Sequence, residues 1–81
     1  MIRVSTKTKM SPEDIIRQAI EFFGPEGYQL DIKEQADDCI SFEGGGGRVD
    51  INICLEEKGT SLELSSQEWD SQVKEFIGNI K

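Results

Sequence analysis

The stretch Cys39-Ile40-Ser41-Phe42-Glu43-Gly44-Gly45-Gly46-Gly47-Arg48-Val49-Asp50-Ile51-Asn52-Ile53-Cys54-Leu55-Glu56 decides the fold of this chain. On either side of the glycines the apolar residues recur every second position. Ile40 and Phe42 lead in, and Val49, Ile51, Ile53 and Leu55 lead out. That period belongs to strands with one buried face. The glycines supply the positive φ of a hairpin turn. Three pairings are open: a turn at Gly44-Gly45, a turn at Gly46-Gly47, or a four-residue loop that sets Glu43 opposite Arg48. They differ by two residues, so all bury the same side chains. Only the turn at Gly46-Gly47 sets Cys39 directly opposite Cys54. Four glycines also lose much backbone entropy on folding, which predicts a mobile tip.

Working outward, Ile2, Val4, Thr6 and Thr8 share one face of a first strand. Ser11-Pro12-Glu13-Asp14 is a helix start: a capping serine, a proline at the first helical position, and two acids where the helix dipole favours them. Ile16, Ala19, Ile20 and Phe23 follow at helical spacing, and Gly24-Pro25 ends the helix. Tyr28, Leu30 and Ile32 predict a second strand with these three inward, closed by a turn over Gln35-Ala36-Asp37-Asp38. Glu57-Lys58-Gly59 turns the chain into a fifth strand around Leu62 and Leu64. Ser65 and Glu68 have capping-box spacing, which predicts that the last helix opens at Ser65. Trp69, Val73, Phe76, Ile77 and Ile80 then form one apolar stripe, with Trp69 in the core.

The order is β-α-β-β-β-β-α. Each strand has one apolar face, so an α+β fold is expected: a five-stranded antiparallel sheet covered on one face by two helices. Strand one must join a free edge of the meander, beside strand two or strand five. This order resembles a single repeat of the TATA-binding-protein-like fold, and also a stripped-down helix-grip (Bet v 1-like) domain. The resemblance is one of topology over nearly the whole chain. It implies strand order 1-5-4-3-2 with both helices on one face. Function does not follow from such a likeness.

At 81 residues the chain is one expected domain, 1–81. With 36% apolar and 31% charged residues it reads as globular, not disordered. A domain this size buries only about 60–65% of its unfolded surface, which leaves no room for a large internal cavity. The net charge of −7 repels nucleic acid and anionic lipid. The expected open face carries balanced charges and no aromatic wedge, against the DNA-binding use of a TATA-type sheet. With no apolar run long enough for a membrane span and no signal-peptide block, the expected compartment is the cytoplasm, with both cysteines reduced.

Histidine is absent, which removes the usual proton shuttle and the commonest metal ligand. Two cysteines outside a C-x-x-C motif do not make a zinc site. Asp50 could lie beside Glu43, Ser41 or Glu63 as a paired acid, or in a ladder with Arg48. No catalytic residue, metal site or cofactor is expected. The favoured function is a protein-interaction module, with a protein partner or a second copy on the open sheet face or an edge strand. The alternative is a small-molecule or ion site. It would use Gly44, Gly45, Gly46, Gly47, Arg48 and Asp50, with the glycine N–H groups as an anion nest. Against it, Gly47 leads into a strand, whereas phosphate loops lead into a helix.

Overall fold

The computed structural model describes residues 2–80. In chain order these form β1 (Ile2–Thr8), α1 (Pro12–Phe23), β2 (Asp31–Gln35), β3 (Cys39–Gly44), β4 (Gly47–Glu56), β5 (Gly59–Gln67) and α2 (Asp70–Ile80). The strands make one antiparallel sheet in the order β1-β5-β4-β3-β2. This is the expected α+β architecture and strand order. Both helices pack on the same face, where Ile15, Ala19 and Phe23 of α1 and Val73 and Phe76 of α2 bury Ile40, Phe42, Val49, Ile51 and Leu64.

Helix α1 is set by its ends. Ser11 is extended at φ −70° and ψ 155°, and its hydroxyl accepts the Asp14 N–H at 3.2 Å. At the far end the Gly24 N–H donates to the Ile20 carbonyl at 2.9 Å. A Cβ on Gly24 would stand 2.4 Å from that oxygen, so only glycine closes the helix this way.

Two boundaries differ from the sequence-based expectation. The second strand does not begin at Tyr28. The carbonyls of Phe22, Phe23 and Gly24 take the N–H groups of Tyr28, Leu30 and Gln29, so this backbone winds on from the helix and is not available to the sheet. Tyr28 is therefore not inward; it is 39% exposed. Strand β2 runs later, to Gln35, with a bulge between Ile32 and Glu34. Leu30 is buried as expected, but Ile32 lies 38% exposed at the sheet edge.

The last helix does not open at Ser65. Ser65 and Ser66 pair with Arg3 and Ile2 on one side and with Asp50 and Val49 on the other. Strand β5 is central here, and ladder bonds to two neighbours outweigh one turn of helix. The capping box of Ser65 and Glu68 does not form. The Ser66 hydroxyl instead accepts the Trp69 N–H at 3.2 Å, after a turn in which Glu68 has φ 67°. At the other end of β4, Leu55 keeps the inward phase but is 70% exposed, because the strand outruns the helices.

Candidate functional sites at the hairpin, the edges and the sheet end

The hairpin turns on two residues, Gly45 at φ 58° and Gly46 at φ 84°. Gly44 pairs with Gly47 and Glu43 with Arg48, the same pairing as the four-residue loop. Cys39 therefore faces Asn52, and Cys54 faces Ser61 on the next strand. The two thiols are diagonal neighbours, not an opposed pair.

Three of the four glycines have a close neighbour where a side chain would begin. A Cβ on Gly47 would lie 2.0 Å from the Gln67 carbonyl oxygen, and one on Gly45 would lie 2.8 Å from the Trp69 ring. One on Gly44 would lie 2.8 Å from the Leu30 side chain. Gly46 has open space but a left-handed φ. The Trp69 indole N–H donates to the Gly44 carbonyl at 2.9 Å, so the ring lies under the turn and fastens it. Trp69 is half-buried, packed against the core rather than within it.

Arg48 and Asp50 are brought together, but with each other. The guanidinium donates through Nε and Nη2 to Asp50 Oδ2 and Oδ1 at 3.0 and 2.8 Å. The Ser41 hydroxyl donates to Asp50 Oδ1 at 2.7 Å. Partial burial pushes the Asp50 carboxyl up. The hydrogen bonds from Arg48 and Ser41, with the guanidinium charge, outweigh this and hold it below the ordinary carboxylate value. A carboxylate held ionised in this way is a poor general acid, and both its oxygens are occupied. Burial, then the charges of Asp38 and Glu34, raise the Cys39 thiol above its ordinary value, which suppresses the reactive thiolate. Among the described residues no three His, Cys, Asp or Glu side chains are grouped to hold a metal.

Two more ion pairs lie on the open face. Arg3 reaches Glu63 at 3.5 Å and Lys7 reaches Glu56 at 3.6 Å. Between them Ser5, Asn52, Cys54 and Ser61 line a shallow groove of about 350 Å³.

The two sheet edges differ. Strand β2 is short, bulged and exposed at every residue, features that discourage further pairing. Strand β1 pairs with β5 without interruption from Ile2 to Thr8, and no described strand occupies its other side. Beyond its end, Lys7, Lys9, Met10, Lys58, Thr60 and Ile80 line a groove of about 780 Å³. The groove as a whole is not legible in the sequence, because its walls come from three separate segments. The signal in the sequence was the placing of Lys7, Lys9 and Lys58 beside turns in an acidic chain.

The sequence matches no protein-family model and no curated protein. No helix among the described residues is long and apolar enough to cross a membrane.

Proposed function

We propose that this chain is a non-catalytic protein-interaction module that takes an extended segment of a partner protein onto β1. The observation that carries this is the contrast between the edges: β1 is regular and unbulged, β2 is not. An exposed regular edge offers a row of backbone donors and acceptors that an added strand satisfies. Ile2, Val4 and Thr6 are half-buried on the helix side of that edge, so an added strand would extend the apolar layer. Arg3 and Lys7 on the other side make only long, exposed pairs with Glu63 and Glu56, which are weak, so they still favour an acidic segment.

A second copy is a poorer occupant. Two β1 strands paired antiparallel over their whole length would set Arg3 opposite Lys7 of the other copy, twice. Like charges directly opposite are destabilising. A ligand site at the hairpin has less support still, since Arg48 and Asp50 already bind each other. A cytoplasmic location is part of the same proposal; the free thiols of Cys39 and Cys54 are compatible with a reducing compartment. The likeness of topology to TATA-binding-protein-like and helix-grip domains belongs to the same proposal; it adds no function.

The test is selection from a phage library of random heptapeptides, followed by amide chemical-shift mapping. Strand-forming peptides with alternating acids should be enriched, and they should shift the amides of Ile2 to Thr8. Failure to enrich, or shifts confined to Asn52, Cys54 and Glu63 on the open face, would overturn the proposal. Light scattering over a concentration range should show a monomer.

A further inference from the structure

We infer that the partner segment carries an acidic residue beside an aliphatic one, just before its strand, and that these lodge in the groove at the end of β1. The inference rests on the proposed use of the β1 edge. The groove opens at the end of β1, where Lys9 and Met10 follow Thr8 and residues 56–60 of the β4–β5 hairpin complete the lining.

The lining specifies the ligand chemistry. The two hydroxyls in the floor are used internally: Thr8 donates to the Ile80 carbonyl and Thr60 to the Met10 carbonyl, each at 2.7 Å. Beside them in the lining stand the side chains of Met10 and Ile80, with the carboxamide of Asn79 next to Ile80 in sequence. Met10 and Ile80, with both hydroxyls engaged, suit an aliphatic side chain. The rim is cationic, with Lys7, Lys9 and Lys58. Its one acid, Glu56, already pairs with Lys7 at 3.6 Å. The groove is therefore locally positive in a chain of net charge −7, which attracts a carboxylate and repels a lysine or arginine.

Direction follows from the sheet. Every ladder in it is antiparallel, and antiparallel pairing is the more stable. A segment antiparallel to β1 brings its own N-terminal end to Thr8. The acidic and aliphatic residues must then precede the strand-forming stretch.

Two synthetic peptides test this on the intact chain. One places Asp-Leu-Glu before Val-Thr-Val-Thr-Val, and the other places it after. The first should bind roughly fivefold to tenfold tighter, the scale of two rim charge pairs, and should shift Lys9, Met10, Lys58 and Thr60. In the doubly substituted Lys9→Glu/Lys58→Glu chain the preference should vanish, while both peptides still shift β1. Both lysines are exposed, and an unchanged amide spectrum outside the groove would show that the fold is kept. Equal affinity for the two peptides, or an unchanged preference in the substituted chain, would overturn the groove inference and leave the edge standing. If neither peptide shifts Ile2 to Thr8, the edge proposal itself fails.

Discussion

The two ends of β4 have been put to opposite uses. At Gly47 the chain is closed on itself. Gly45 is pressed against Trp69 and Gly47 against the Gln67 carbonyl, the indole is bonded to Gly44, and Arg48, Asp50 and Ser41 bond to one another. All six aromatic rings join one connected chain, from Phe42 through Phe23, Phe22 and Phe76 to Tyr28 and Trp69 under the turn. At Glu56 the strand outruns its helices. Leu55 is exposed, no ring lines the neighbouring groove, and two of its three lysines, Lys9 and Lys58, have no acid partner among the described residues. The end with the conspicuous sequence is packed into the fold, and the end with the plain sequence is the exposed one.

Substitutions should show this asymmetry. The largest effect is expected for Gly47→Ala, whose Cβ would collide with backbone at 2.0 Å. Strand β4 or β5 must shift to admit it. A loss on the order of 3 kcal/mol in urea unfolding is expected, in the range of severe single changes. If the loss is under about 1 kcal/mol, the hairpin is not the packed joint described above.

Trp69→Phe keeps most of the ring but deletes the indole donor to the Gly44 carbonyl. About 1–2 kcal/mol should be lost, the scale of a hydrogen bond with one partner left behind. Amide exchange at Gly45 and Gly46 should quicken with it. Unchanged exchange would mean that the indole does not hold the tip.

Asp50→Asn should cost about 1 kcal/mol at neutral pH, through its bonds to Arg48 and Ser41. Asp50 is held below its ordinary value of 3.8 in the fold, so the unfolded chain takes up its proton first as pH falls. Its contribution is therefore full above about pH 4 to 5 and is lost as pH drops from 3.8 toward the lowered value. The Asn variant should lack that component of acid destabilisation. Parallel stability curves for the two proteins through this window would contradict the bonding described for Asp50.

The smallest effect belongs to the other end. Lys9→Glu/Lys58→Glu should change stability by no more than about 0.5 kcal/mol, as exposed positions do. A larger loss would mean that these lysines serve the fold and are not held in reserve for a partner.

Much of this architecture was legible because period-two alternation survives any shift by two. Ile40, Phe42, Val49 and Ile51 fall on the core face whichever pairing the glycines adopt. Ser11-Pro12 and Gly24 marked α1 because caps depend on local chemistry. Tyr28 misled because its alternation with Leu30 and Ile32 was real, but the carbonyls ending α1 had a prior claim on that backbone. Ser65 misled because a serine can cap a helix or sit in a central strand, and its two strand neighbours come from distant sequence. Four identical glycines could not indicate which two make the turn; that is decided by Trp69 and Gln67, more than twenty positions away. The lysine groove was hidden for the same reason, being assembled only when residues 7–10, 56–60 and 79–80 meet.

The central claim is that the free edge of β1 and the groove beyond it receive a partner, and that the glycine hairpin does not. The most direct measurement is amide chemical-shift mapping with the peptide that carries Asp-Leu-Glu before its strand. Shifts at Ile2 to Met10 and Lys58 to Thr60, with Gly44 to Gly47 and Asp50 still, are predicted. Shifts centred on Gly44 to Gly47, with β1 unmoved, would contradict it.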